Sequence, residues 1–326
     1  MKLFGRNLIP FVLVAFAVYL LGNYQRDHHA PEGDLIKTSF LLTSRKYLDP
    51  PSGIPPSNVS VDSPILLVGD SHLDQRPTNC RYQEYLTTPV SSHSHWAYTP
   101  NVDPFSLGVS LADSSTHDLV IFEVVERNFF RFAQDFLATD STVQIAPKSN
   151  NSQNQFSFVN GIGAGLRTLC SAFGLRHKWI KNDQCQIREC HESVPLFSSD
   201  RLLMTKMVEQ HRKKPEEVTA ILDELTLKLR QDFKPMSIEF LVYIIPDKAT
   251  LYSPFCNCED LHPSFLSNLP VSSNVSSPII PMQTAIANGT MEVYKYSDTH
   301  LSPTGASIVG QHLDSEILAW LMSQEH

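Results

Sequence analysis

Residues Pro64–Gln75 read PILLVGDSHLDQ. Pro64 to Val68 is apolar and mostly branched, and the run stops at Gly69-Asp70-Ser71-His72. A short apolar run ended by glycine reads as a buried strand entering a tight turn. Working outward, Asp118–Val125 (DLVIFEVV) and Ile238–Ile245 (IEFLVYII) have the same character. Such runs suit strands covered on both faces of a parallel sheet. Between and after them lie helical patterns. Val218, Ile221, Leu222, Leu225 and Leu229 recur at helical spacing within Asp200–Phe233, which Pro215 divides. Pro215-Glu216-Glu217 suits a first helical turn, with acids at the positive end of the dipole. Gly305–Met322 reads as a closing helix, with Ile308, Leu313, Ile317, Leu318 and Trp320 toward its buried side. Leu73–Leu86 is expected to be the first helix of the domain and Glu292–Tyr296 a last short strand. Thr87–Pro104, Ala138–Phe158 and Leu261–Ile280 read as loops or connections. Strands alternating with helices predict an α/β sandwich with a mainly parallel sheet.

The turn after the first strand carries chemistry. A serine at the carboxyl end of a buried strand sits where α/β sheets place ligands. The nucleophile elbow of other hydrolases exposes a serine hydroxyl in this way, although Gly-Asp-Ser is also a common turn composition. Far along the chain lies Tyr296–Ala306, YSDTHLSPTGA. A serine nucleophile needs a base, and the base needs a carboxylate to orient it. Asp298 and His300 are two apart, so on an extended segment they share a face. The candidate catalytic set is Ser71, His300 and Asp298.

GDS near the start and Asp-x-His near the end resemble the SGNH (GDSL-type) esterase and acyltransferase superfamily. DTHLSPTGA is similar to the polysaccharide O-acetyltransferase branch, the alginate and cellulose acetylation proteins, and to SGNH domains fused to membrane acyltransferases. Leu119–Phe130 (LVIFEVVERNFF) and Tyr243–Tyr252 (YIIPDKATLY) agree with that branch. The resemblance implies a three-layer SGNH-hydrolase-like sandwich over residues 63–326. It implies Asp70, Arg127, Asn128 and Lys248 as substrate- or oxyanion-binding residues, with Asn128 on a polar loop and no cofactor or metal. A surface lysine is the plainer reading of Lys248. One departure concerns order: in the alginate enzymes the Asp-x-His pair precedes the serine, whereas here Ser71 comes first, as in ordinary SGNH hydrolases.

The implied function is an extracytoplasmic O-acetyltransferase acting on an exported or cell-surface polysaccharide. Its acetyl donor would be a separate multi-spanning membrane acyltransferase. A carbohydrate acetyl esterase and a non-catalytic carbohydrate-binding protein are the alternatives. His93, His95 and Trp96 could line a sugar site or belong to a solvated loop.

Composition sets the remaining bounds. The chain has 326 residues, 42% hydrophobic and 18% charged, with net charge −8. That balance argues against nucleic acid, which calls for a basic stripe. Lys2 and Arg6 precede an apolar run from Leu8 to Leu21, the pattern of a basic n-region and an h-region. We expect a signal anchor over residues 1–24 with its N-terminus cytoplasmic, then a proline-containing stalk over 25–62. A secreted form after signal cleavage is the alternative. Both place the domain outside the cytoplasm, facing the periplasm in a bacterium. Six cysteines (Cys80, Cys170, Cys185, Cys190, Cys256, Cys258) suit an oxidising compartment, with pairing left open. Cys256-Asn257-Cys258 with His262 lacks the second pair of a zinc site. Residues 160–165 (NGIGAG) are glycine-dense without dinucleotide spacing and suit a turn opening a helix from Leu166 to Phe173.

Overall fold

The computed structural model describes residues 17, 63–73, 82–99, 102–113, 117–139, 146–147, 215–252, 264–269, 274–290, 293–294 and 300–324. The expected anchor (apart from residue 17), the stalk, all six cysteines, residues 160–165 and the helix expected from Leu166 lie outside them.

The strands are β1 (Ile65–Gly69), β2 (Ser91–Ser94), β3 (Tyr98–Thr99), β4 (Leu119–Val125), β5 (Ala146–Pro147), β6 (Glu239–Ile245) and β7 (Val275–Ser276). The helices are α1 (Pro104–Asp113), α2 (Glu126–Ala138), α3 (Pro215–Phe233), α4 (Lys248–Tyr252), α5 (Ile279–Ala287) and α6 (Pro303–Gln324). Five strands form one sheet in the order β2-β1-β4-β6-β7, and every pairing is parallel. β3 and β5 make a separate antiparallel pair.

Alternation along the strands sorts the core into two layers. Leu66, Val68, Val120, Phe122, Val242 and Ile244 face Phe105 of α1, Phe129 and Phe136 of α2, and Leu222 and Leu229 of α3. Ile65, Leu67, Ile121, Tyr243 and Ile245 face Met282 and Ile286 of α5 and Ala306, Val309, Leu313 and Ile317 of α6. Both faces are covered, which is why the strands read as nearly continuous apolar runs. Among the described residues no helix is long and apolar enough to cross a membrane.

Several expectations change. Where Leu73–Leu86 is described, it forms two 3₁₀ turns, Ser71–Leu73 and Tyr82–Tyr85, rather than a helix. Leu73, Tyr82 and Leu86 are buried, but as anchors of turns, not as a helical stripe. Thr87–Pro104 contains edge strand β2, whose sequence SSHS carries no apolar signal. Leu261–Ile280 contains β7 and the start of α5. Pro281 falls in the first turn of α5, where its missing N–H has no intrahelical acceptor to lose. Val293 and Tyr294 are not in the sheet; Tyr294 makes an antiparallel bridge to Leu301. On α6, Leu318 is exposed (44%), and the buried stripe is Ala306, Val309, Leu313 and Ile317.

Candidate active site

Counting just the strands of the main sheet in chain order, its arrangement is 2-1-3-4-5. In such sheets ligands bind at the carboxyl edge where the order reverses, here between β1 and β4. β1 ends in Gly69, and Asp70-Ser71-His72 follows. β4 runs straight into α2, so Glu126, Arg127 and Asn128 form the first turn of a helix rather than the polar loop expected. β6 delivers Asp247 and Lys248 beside them.

The second motif arrives from α6. Ser302 caps that helix: its hydroxyl accepts the Gly305 N–H at 3.1 Å and donates to the Val293 carbonyl at 3.1 Å. Pro303 occupies the first helical position, where proline is well tolerated. Gly305 is required by close approach, because a Cβ there would lie 1.8 Å from the Val293 carbonyl oxygen. Much of Ser302-Pro303-Thr304-Gly305 is therefore a device for starting α6 against residues 293–294. That start fixes His300. The half-buried His300 ring meets the ring of wholly buried His72 edge to face, with centroids 5.4 Å apart. Ser71 opens the 3₁₀ turn that carries His72. The two motif stretches, from opposite ends of the sequence, thus converge at one point. Asp298 lies outside the described residues.

Asp70 is buried in a ring of donors. Asn128 Nδ2 donates to Asp70 Oδ2, and His95 Nε2 stands 3.4 Å from Oδ1. Burial alone would raise the Asp70 carboxyl. The His95 hydrogen bond and the nearby Arg127 charge outweigh it and hold the group well below the usual carboxylate range. The other ring nitrogen of His95 lies 2.8 Å from the Val102 carbonyl. His95 is therefore part of the buried frame, not of a solvated loop. His93 is hydrogen-bonded to Ser91 and Tyr98, and Trp96 lies in the 3₁₀ turn His95–Ala97.

Arg127 pairs with Asp247 at 2.6 Å, with the two side chains 10% and 1% exposed. Glu126 accepts the Asp247 N–H at 2.8 Å and the Ser264 hydroxyl, and burial raises its carboxyl. Lys248 is completely buried, which overturns the surface reading. Tyr294 donates its hydroxyl to the Pro246 carbonyl, joining the segment before His300 to the end of β6.

The structure therefore gathers Asp70, the Ser71 turn, Arg127, Asn128, Lys248 and His300 at one edge of the sheet. The Arg127 and Asn128 contacts described tie β1, β4 and β6 together. Sequence reasoning passed over Glu123, Asp247, Tyr294 and the framing role of His95. Glu123 did leave a signal, a lone acid inside the apolar run LVIFEVV. Among the described residues, no group of three or more His, Cys, Asp or Glu side chains is placed to hold a metal ion. Comparison with family models, with curated proteins and with solved structures found no match for this chain.

Proposed function

We propose that the protein is a serine-dependent acyl-transfer enzyme on an SGNH-like three-layer domain. In this reading it is an O-acetyltransferase acting outside the cytoplasm on hydroxyls of an exported or cell-surface polysaccharide, held at the membrane by its N-terminal segment. Ser71 attacks the acyl donor. His300 takes the Ser71 proton and returns it to the leaving oxygen, and Asp298 orients the imidazole. Backbone N–H groups of the turn after β1, at the carboxyl edge of the sheet, stabilise the oxyanion. The acetyl group then passes from Ser71 to a sugar hydroxyl.

The observation that carries the reading is the meeting of His300 with His72, the residue after Ser71. A purely structural Gly-Asp-Ser turn gives no reason for His300 to arrive there. Supply of acetyl groups outside the cytoplasm calls for a membrane-embedded donor, a separate polypeptide in this account.

The test supplies an acetyl donor to the purified domain with and without an acetyl-free oligosaccharide. The reading expects transfer to the sugar in preference to water, and loss of both transfer and hydrolysis in Ser71→Ala. Hydrolysis without transfer would make the protein an esterase. Full activity in Ser71→Ala would remove the assigned nucleophile.

A further inference from the structure

Glu123 is wholly buried in β4, in register with Gly69 of β1. Its Oε2 accepts the backbone N–H of Asp70 at 2.9 Å. Its Oε1 has no hydrogen-bond partner among the described residues. Gly69 is shaped around it: a Cβ at position 69 would fall 2.2 Å from Glu123 Oε2 and 2.7 Å from a Leu73 methyl carbon. The glycine of Gly-Asp-Ser thus leaves room for a carboxyl group to reach the next peptide.

We propose that Glu123 is a positioning residue for the proposed nucleophile. By holding the Asp70 amide it fixes the turn that carries Ser71, and Gly69 is present to admit it. The inference rests on the reading of Ser71 as nucleophile. Asp70 thereby meets the rest of the protein in two ways. Its side chain is held by Asn128 and faces His95, and its main chain is held by Glu123. The main chain leading into Ser71 is thereby fixed.

A neutral carboxyl suits this task. Burial, and then the negative charge of Asp70, raise the Glu123 carboxyl well above its ordinary value. Two neighbouring carboxyls are driven apart, Asp70 downward and Glu123 upward. Glutamine presents the same carbonyl acceptor with no charge, whereas methionine fills similar space with no acceptor.

The experiment compares wild type, Glu123→Gln and Glu123→Met in three measurements: steady-state acetyl-ester turnover, exchange of the Asp70 amide proton by NMR, and the infrared carbonyl band of a protonated carboxyl. We expect that band in wild type and its loss in Glu123→Gln. Glu123→Gln should keep turnover and a protected Asp70 amide. Glu123→Met should lose about 100-fold in kcat, the scale of a misplaced reacting group, with KM unchanged. A folded Glu123→Met with normal turnover overturns the inference. So does a Glu123→Gln that loses turnover, which remains decisive if Glu123→Met fails to fold. A wild-type protein that turns over no acetyl ester instead removes the Ser71 reading, and the catalytic role of Glu123 with it.

Discussion

The rings of His72 and His300 lie edge to face, with centroids 5.4 Å apart and planes at 64°. One ring rides on the turn after the first strand and the other on the approach to the last helix. Edge-to-face contact is a favourable geometry for aromatic rings, and here it joins two segments that share no strand pairing among the described residues. His72 is inaccessible, and His300 is the more exposed of the two residues although its Nε2 is buried. His300→Gln should lower acyl transfer on the order of 10⁴-fold, as for loss of a correctly held base. Its melting temperature should stay near wild type. Activity that survives in folded His300→Gln would assign the base elsewhere.

The entry to α6 sets the position of that histidine. Gly305→Ala would place a methyl group 1.8 Å from the backbone carbonyl of Val293. A backbone atom held by the Ser302 N–H and hydroxyl cannot step aside. We expect a loss of about 3 kcal/mol, the upper end of overpacking penalties, read from the urea midpoint. Turnover should fall as well, because the segment carrying His300 must move.

Arg127 and Asp247 form a buried ion pair that fastens α2 to the end of β6. Arg127→Met leaves the Asp247 carboxylate buried without that partner and should cost about 3–5 kcal/mol. The double variant Arg127→Met/Asp247→Leu should recover part of that loss, because the carboxylate that Arg127 neutralised is gone. Denaturant unfolding of the two variants gives the comparison.

Stability should depend on pH through Glu123 and Asp314 with opposite signs. The folded Glu123 carboxyl lies well above its ordinary 4.5, by burial first and the Asp70 charge second. Its contribution is fully present below pH 4.5 and is lost as pH rises toward the folded value, because the unfolded chain releases the proton first. Glu123→Gln should thus be more stable than wild type at neutral pH, by a margin that shrinks as pH falls to 4.5. Burial would raise Asp314, but hydrogen bonds from Thr87 and Thr88 hold it below its ordinary 3.8. That contribution is present above pH 3.8 and is lost as pH falls through the folded value. Asp314→Asn should flatten this acid limb of a thermal-melt series.

Strands covered on both faces were legible because each is apolar along nearly its whole length. Ile65–Gly69, Leu119–Val125 and Glu239–Ile245 all announced themselves in this way. Edge strand β2 did not, because Ser91-Ser92-His93-Ser94 is held by main-chain pairing to β1 rather than by burial of apolar side chains. The start of α5 was hidden by Pro278, which read as part of a connection although it directly precedes the helix; Pro281 fits the first turn. At the site, Gly-Asp-Ser and the approach to α6 were visible as motifs. The partners that hold them were not. Tying Glu123 to Asp70, or Asp247 to Arg127, depends on strand register and on which helix follows β4. Lys248 looked like a surface residue because burial of a lysine is rare and leaves no local pattern.

The central claim is that Ser71 carries the acyl group. Peptide mass analysis after brief exposure to an activated acetyl ester, or to a serine-directed fluorophosphonate, tests it most directly. The account predicts a single adduct on Ser71, formed by wild type and greatly slowed in His300→Gln. An adduct on another residue, or none on folded protein, would contradict it.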